Sequence, residues 1–149
     1  MYRILFVCHG NICRSPAAEF IAKAEIARRG LSDKVSVASF AVSMEEIGND
    51  MYPPMKAELR RQGIPFTYHA AQRISQRDYD QADAIYYMDE SNRRYLDRLL
   101  VDSKGILFPI TRYETEFDEV EDPWYTDRFD VVVRQISTCV SHILDHLDL

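Results

Sequence analysis

The chain alternates short apolar runs with longer segments in which apolar residues recur at helical spacing. The apolar and alternating runs predict four β-strands, at residues 4–7, 35–39, 84–88 and 106–108. The helical spacing predicts helices over residues 16–29 and 54–62, after Ser75, after Asp89, and from Phe129 to the end of the chain. Strand and helix signals therefore alternate along the whole sequence.

This alternation is typical of an α/β domain. It predicts a four-stranded parallel sheet with helices on both faces, whose ligands bind at the carboxyl ends of the strands. A chain of 149 residues is close to the size of one domain, and no internal repeat or Gly/Ser-rich linker divides it. We therefore expect residues 1–149 to form a single domain.

The net charge and the apolar content of the chain argue against some classes of function. The formal charge of −6 disfavours binding to nucleic acid or to an anionic membrane surface, because such binding depends on basic residues that release counterions. No apolar stretch approaches the roughly 18 residues of a membrane span, and the first residues lack a signal-peptide layout. These features predict a cytoplasmic protein that does not bind membranes.

The candidate chemistry lies between the first strand and the first helix, in the segment Cys8-His9-Gly10-Asn11-Ile12-Cys13-Arg14-Ser15. Gly10 and Asn11 tolerate positive φ, and Ser15-Pro16 has the form of an N-cap followed by a first helical residue. A tight loop before a helix turns successive backbone N–H groups toward one point. The segment therefore predicts a phosphate-binding loop after strand 1.

Two side chains of this loop are suited to catalysis. Five residues separate Cys8 from Arg14, so one turn of loop brings the sulfur beneath a bound anion while the guanidinium closes over two of its oxygens. The same positive partners stabilise a thiolate. Cys8 is therefore predicted to be a nucleophile that needs no separate histidine base.

The segment Val7-Cys8-His9-Gly10-Asn11-Ile12-Cys13-Arg14-Ser15-Pro16 resembles the signature of the low-molecular-weight protein tyrosine phosphatases. Further matching segments follow in the order of that family, namely Ser39, residues 69–74, residues 88–92 and Asp122-Pro123-Trp124-Tyr125. The resemblance thus covers nearly the whole chain. It implies hydrolysis of phosphotyrosine in proteins without a metal or other cofactor, with phosphate or vanadate as an active-site ligand.

The resemblance also implies roles for individual residues. Cys8 attacks phosphorus, and Asp122 protonates the leaving phenolate and then activates water to release the cysteinyl phosphate. Arg14 binds the phosphoryl oxygens together with the loop residues His9, Gly10, Asn11, Ile12, Cys13 and Ser15. We expect the acidic residues of segment 114–121 to favour the protonated form of Asp122 through like-charge repulsion.

Supporting roles follow from the same resemblance. Asn11 holds the loop in shape with help from Ser15, Ser39 and His69, and Cys13 forms a reversible disulfide with Cys8 that protects it from oxidation. The implied substrate pocket contains Ile12, Glu45, Trp124 and Tyr125. Glu45 aligns where the family usually carries an aromatic wall residue, so a ring from Tyr52 or Trp124 is expected to compensate.

Alternative interpretations stay open at this point. An arsenate reductase on the same scaffold needs further cysteines in the middle of the chain, and none lies between Cys13 and Cys139. A phosphoarginine phosphatase has a small hydroxyl residue where Ile12 stands, and a non-catalytic phosphotyrosine-binding module would not need both Cys8 and Asp122. The sequence leaves a monomer or a weak dimer equally open.

A zinc site is a further alternative, and the spacing argues against it. Cys8, Cys13, Cys139 and His142 lack the paired short spacings of structural zinc sites. We expect Cys139 to pack in the core, because it lies among apolar neighbours in the last helix. We expect His142 and His146 to face water, because these two histidines fall off the apolar stripe of that helix.

Overall fold

The computed structural model describes residues Met1–Leu149 as one α/β unit. The strands are β1 (Tyr2–Cys8), β2 (Val35–Ala41), β3 (Ala84–Tyr87) and β4 (Leu107–Pro109). The helices are α1 (Arg14–Arg28), α2 (Pro53–Arg61), α3 (Gln76–Asp80), α4 (Glu90–Leu99), α5 (Pro123–Thr126) and α6 (Phe129–Asp145). All four predicted strands are present, and α5 is the one helix that the sequence pattern did not predict.

The sheet is parallel throughout and has the order β2-β1-β3-β4. Side chains of β1 alternate between two cores: Ile4 and Phe6 pack with α1 and α6, whereas Leu5 and Val7 pack with α3 and α4. Burial on both faces explains why β1 is an unbroken apolar run rather than an alternating one. The predicted parallel sheet with helices on both faces is confirmed.

Local signals placed α3 and α4 correctly. Ser75 and Asp78 form a capping box at the start of α3, and Asp89 and Asn92 form another at the start of α4. In each box the side chain of the first residue accepts the backbone N–H of the residue three positions later. The side chain of that later residue accepts the backbone N–H of the first residue in return. These caps use only neighbouring residues, which is why the sequence alone identified them.

The start of α1 differs from the prediction. The helix begins at Arg14 with Cys13 in the capping position, and no side chain caps it. The hydroxyl of Ser15 instead contacts the Cys8 sulfur and accepts a hydrogen bond from Asn11. Tertiary contacts have therefore taken the hydroxyl that the local pattern assigned to the cap.

In the sequence, the helical spacing of Ala17, Phe20, Ile21, Ala24 and Ala27 predicts one apolar face for α1, and this prediction is partly wrong. Its first nine residues, from Arg14 to Ala22, are buried on all sides because the helix lies between the sheet and α6. Ala27, assigned to the buried face, is exposed. Helical spacing identifies a buried stripe only where one side of the helix meets solvent.

The carboxyl ends of β1, β2 and β3 meet at one edge of the sheet, as parallel strands require. The loop of residues 9–13 follows β1, and Met88 and Asp89 follow β3.

None of the helices combines the length and apolar character needed to cross a membrane.

Leu5 in the central strand tests this layering. Its side chain is fully buried, so Leu5→Ala should lower the free energy of unfolding by about 2–5 kcal/mol, from lost apolar burial and the cavity left behind. Urea titration measures the change. Leu149→Ala is the matched control, because half of that side chain is exposed, and equal losses in both variants would contradict the assigned core.

Candidate active site

A pocket of about 360 Å³ opens at the carboxyl edge of the sheet, above the end of β1. It is lined by Cys8, His9, Gly10, Ile12, Cys13, Arg14, Glu45, Glu46, Tyr52, Asp122, Trp124 and Tyr125. The structure therefore brings the predicted loop, Asp122 and the two aromatic residues that follow it into one cavity.

The loop after β1 directs its carbonyl groups away from the pocket. The carbonyls of Cys8 and His9 accept from the next segment, at 3.0 Å from Val42 N and 3.1 Å from Ser43 N, and the Ile12 carbonyl accepts from Tyr52 N at 2.7 Å. No backbone N–H of residues 9–14 donates to another protein group. Free N–H groups at a helix N-terminus are the arrangement that the predicted anion cradle requires.

Asn11 is the fixed point of this loop. It is fully buried and has φ of 58°, in the left-handed region. Its side chain uses every hydrogen-bonding position: Nδ2 donates to Ser15 Oγ (2.8 Å) and Ser39 Oγ (3.0 Å), and Oδ1 accepts from His69 Nε2 (2.8 Å) and Gln72 N (3.2 Å). The three predicted supporting residues therefore all contact Asn11.

Gly10 has a different role from the one its residue type suggested. Its backbone φ is not positive, so conformational freedom does not explain it. A Cβ at this position would lie 3.3 Å from Glu46 Cγ. The absence of a side chain at Gly10 therefore lets the Glu46 side chain pack closely against the loop.

Cys8 lies at the floor of the pocket and is almost fully buried. Its Sγ is 3.0 Å from Ser15 Oγ and accepts the Ser15 backbone N–H at 3.4 Å. A hydroxyl and an N–H beside the sulfur are the partners that stabilise a thiolate.

Arg14 is buried and surrounded by acceptors. Nη1 donates to Asp89 Oδ2 (2.7 Å) and to the Val120 carbonyl (3.0 Å), and Nη2 lies 3.5 Å from Asp122 Oδ2. Burial opposes the charge, but attraction to Cys8, Asp89 and Asp122 outweighs it, so the pKa of Arg14 lies above its ordinary value. The guanidinium is thus a permanent cation at the edge of the cradle.

Asp122 stands at the start of α5, where Oδ1 accepts the Trp124 backbone N–H at 3.0 Å. Its other oxygen faces Arg14 across the pocket. About one third of the carboxylate is exposed, so it is accessible from the pocket mouth.

Three of the acidic residues before Asp122 have partners of their own. Glu121 pairs with Arg128, Glu119 accepts the Glu90 backbone N–H, and Glu114 accepts the backbone N–H groups of the two residues after it. These three carboxylates are therefore directed to their own partners. The charged side chain that contacts Asp122 is Arg14.

The mouth of the pocket carries a His9–Glu45 contact, with Glu45 at the position where the family usually has an aromatic residue. His9 Nε2 lies 3.1 Å from Glu45 Oε2, and 69% of the Glu45 side chain is exposed. His9 also meets the edge of the Tyr95 ring, with centroids 5.4 Å apart. An exposed pair of this kind adds little stability, and Glu45 supplies no ring surface.

Aromatic surface comes instead from Tyr52 and Trp124. Their ring centroids are 5.3 Å apart, and the Tyr52 ring also packs 6.0 Å from the buried ring of Phe129. Tyr52 precedes α2 and is tied to the loop through its backbone bond to Ile12. Tyr125 lines the same mouth and is largely exposed.

Cys13 in the loop and His69 beside it are both half-buried. Burial, followed by the proximity of Cys8, raises the pKa of the Cys13 thiol above its ordinary value. Burial also lowers the pKa of His69 despite the opposing charge of Glu19. Glu19 in turn accepts a 2.7 Å hydrogen bond from Ser39 Oγ, which extends the network around Asn11.

Sequence reasoning missed two members of the site, Asp89 and Glu19. Asp89 was interpreted as a helix cap, which it is, but its second oxygen also binds Arg14. The sequence did contain a signal for its place in the site, because Asp89 follows the predicted strand that became β3, and ligands bind at the carboxyl ends of parallel strands. Glu19 lies one helical turn after Ser15, and only the tertiary structure reveals that it is buried.

Cys139 and His142 lie on α6, away from the loop. Burial, followed by the charge of Glu114, raises the pKa of Cys139 to about 12, and the thiol packs in the core as expected. No three His, Cys, Asp or Glu side chains are grouped as metal ligands. His146 faces solvent as predicted, whereas His142 is only partly exposed and lies 3.7 Å from Glu114.

Comparison with known proteins assigns the chain to a family. The sequence model of the low molecular weight phosphotyrosine protein phosphatases matches residues 3–148. The low molecular weight protein-tyrosine-phosphatase YfkJ of Bacillus subtilis is 36% identical over 148 residues, covering 97% of this chain and 94% of that protein. The human low molecular weight phosphotyrosine protein phosphatase is 34% identical, covering 95% and 93%.

Solved structures agree with this assignment. The crystal structure of YfkJ from Bacillus subtilis superposes with a TM-score of 0.92 at 34% identity, covering 97% of this chain and 93% of that one. A protein tyrosine phosphatase from Entamoeba histolytica, crystallised with Hepes in its active site, superposes with a TM-score of 0.89 at 27% identity, covering 97% and 96%. The chain therefore belongs to the low molecular weight phosphotyrosine protein phosphatases, a family of hydrolases.

Proposed function

We propose that this protein hydrolyses phosphotyrosine in two steps through a phosphorylated Cys8. The observation that carries the proposal is the convergence of the Cys8 sulfur, the free N–H groups of residues 9–14 and the Arg14 guanidinium on one pocket. N–H donors and a guanidinium stabilise the negative charge on the equatorial oxygens of a transferring phosphoryl group.

In the first step the Cys8 thiolate attacks phosphorus and forms an S–P bond. The P–O bond to the phenol breaks, and its electron pair goes to the phenolic oxygen, which takes the proton of Asp122. In the second step the Asp122 carboxylate removes a proton from water as the water oxygen bonds to phosphorus. The S–P bond breaks, the thiolate returns and inorganic phosphate leaves.

The charges around Arg14 support the proton transfer. Without substrate, the Asp122 carboxyl group faces the guanidinium at 3.5 Å. A bound phosphate dianion takes over the guanidinium. The Asp122 carboxyl group is then released from Arg14 and available to the leaving oxygen of the substrate.

The surroundings of the pocket support an aryl phosphate as substrate. Ile12 and the Tyr52–Trp124 pair offer apolar and aromatic surface beside the cradle, and a phenyl ring packs well against such surface. The natural substrate is then a tyrosine-phosphorylated protein. The nucleophile needs a reducing compartment such as the cytoplasm, and the three cysteines are free thiols.

Substitution of the three reacting groups tests the mechanism. With p-nitrophenyl phosphate, Cys8→Ser should abolish turnover, and Arg14→Lys should lower kcat by about 10²- to 10³-fold through loss of bidentate contact. With phenyl phosphate, Asp122→Asn should lower kcat/KM by roughly 10²- to 10⁴-fold, because its leaving group needs the proton. Phosphate release measures each rate.

The proposal has a direct control in trapping. Asp122→Asn should accumulate a phosphorylated protein when mixed rapidly with substrate, because it lacks the base for the second step. Mass spectrometry locates the phosphate, and a phosphate on any residue other than Cys8 would overturn the mechanism. Activity that disappears with EDTA would also do so.

The aromatic wall gives a second prediction. Tyr52→Leu should lower kcat/KM for phenyl phosphate about 3- to 10-fold, because one aromatic contact contributes about 0.5–1.5 kcal/mol. The inhibition constant of inorganic phosphate, which has no ring, should stay the same. Equal losses for both molecules would mean that Tyr52 supports the loop rather than the substrate ring.

The loop scaffold gives a third prediction, from the neutral state of His69. Its pKa is lowered by burial, so the unfolded chain takes up this proton first as the pH falls. The stability contributed by neutral His69 is complete above its ordinary pKa of 6.5 and is lost as the pH drops through the lower folded value.

His69→Gln isolates this effect, because the glutamine amide keeps a donor near Asn11 and does not titrate. Urea unfolding at pH 7.5 and pH 5.5 should show a larger loss of stability on acidification in the natural protein than in the variant. Parallel losses in the two proteins would mean that His69 does not contribute.

A further inference from the structure

Residues 113 and 114, at the start of the acidic segment, are attached to the last turns of α6. The Glu114 side chain is 3% exposed, and its Oε1 accepts the backbone N–H groups of Thr115 (2.8 Å) and Glu116 (2.9 Å). Its Oε2 faces His142 Nδ1 at 3.7 Å, and neither of these two buried atoms has a hydrogen-bond partner. A buried carboxylate oxygen and a buried ring nitrogen thus face each other unpaired.

A second contact fixes the same segment. The Tyr113 ring stacks on His146, with centroids 3.8 Å apart and planes within 5°. His146 Nδ1 donates to the His142 carbonyl at 2.8 Å, which orients its ring. Two histidines one turn apart on α6 therefore hold two consecutive residues.

Other groups near the facing pair do not provide the missing partner. Cys139 lies on the same face of α6, and its pKa of about 12 keeps the thiol neutral. Gln135 Oε1, one turn earlier, is an acceptor that is itself buried without a partner. A proton on His142 Nδ1 is the donor that satisfies Glu114 Oε2, and unsatisfied buried groups are costly enough to draw the two atoms together.

We propose that His142 and Glu114 form a hydrogen bond that positions the general-acid segment, so that both are positioning residues for Asp122. This inference rests on the proposed role of Asp122 as the proton donor. The segment from Glu114 to Phe129 carries Asp122, and its far end continues directly into α6. The bond to His142 attaches its near end to the same helix.

The segment depends on this attachment because, apart from the Tyr113–His146 stack, the hydrogen bonds that anchor it lie on the other side. Thr111 Oγ1 donates to the Asp118 carbonyl at 2.8 Å, which closes residues 111–118 into one loop around Glu114. Val120 N donates to the Met88 carbonyl, next to β3. Breaking the His142–Glu114 contact therefore loosens the α6 side of this loop. The loop leads to Val120, whose carbonyl accepts from Arg14, and then to Asp122.

Leaving-group dependence tests the proposal. The readout is the ratio of kcat/KM for phenyl phosphate to kcat/KM for p-nitrophenyl phosphate, since only the more basic phenolate depends strongly on protonation. His142→Leu should lower this ratio about 3- to 10-fold, short of the roughly 10²- to 10⁴-fold contribution of a complete general acid. The inhibition constant of inorganic phosphate should not change.

Companion variants separate positioning from general stability. His142→Asn keeps a donor near the position of Nδ1 and should restore the ratio. Glu114→Gln keeps the shape but turns a donor toward His142, and should lower the ratio as His142→Leu does. Arg134→Leu is the matched control, because it removes an exposed cation elsewhere on α6 and should leave the ratio unchanged.

The Asp122→Asn background completes the test. If His142 acts through Asp122, adding His142→Leu to Asp122→Asn lowers the ratio no further. An unchanged ratio in both His142→Leu and Glu114→Gln overturns the inference, as does a lower melting temperature with an unchanged ratio. An unchanged ratio in Asp122→Asn alone overturns the proposed function instead.

Discussion

The left-handed backbone at Asn11 is the constraint on which the phosphate loop depends. A φ of 58° is rare for a residue with a side chain, and such strain costs about 1–3 kcal/mol. The buried side chain offsets this cost with four hydrogen bonds, which join α1, β2 and the segment around His69. The turn that directs the loop carbonyls outward is therefore held by parts of the chain far apart in sequence.

A balance of buried charges depends on that geometry. Arg14 is almost fully buried, and such a cation is tolerated only because Asp89, the Val120 carbonyl and Asp122 surround it. The Asp89 contact is short, and Asp89 is fixed as the N-cap of α4, so it holds the guanidinium in place. The Asp122 contact is longer and more exposed, so in the proposed mechanism it is the one that a phosphate dianion replaces.

The family relationship and the particular chain contribute different things to the site. The loop, the cysteine and the acid of the proposed mechanism lie within the residues that the family model matches. The mouth carries the His9–Glu45 pair on the rim and aromatic surface from the residue before α2. Chemistry is thus fixed at the floor of the pocket, while contacts with the rest of the substrate are set at its rim.

By itself, the sequence determined the elements that local physics specifies. Apolar runs marked the strands, the capping signals at Ser75 and Asp89 marked α3 and α4, and the spacing of Cys8 and Arg14 marked the loop. The alternation of strands and helices predicted a parallel sheet, and ligands bind at the carboxyl ends of the strands in such a sheet. These features depend on residues within a few positions of each other, which is why they can be predicted without coordinates.

Only the tertiary structure decided which partner each polar group would take. Ser15 had two possible uses, and the buried sulfur and amide beside it, rather than the helix end, receive its hydroxyl. Asp89 caps a helix and also holds Arg14, 75 residues away along the chain. Such choices depend on burial, because a polar group removed from water must bond to whatever folding brings next to it.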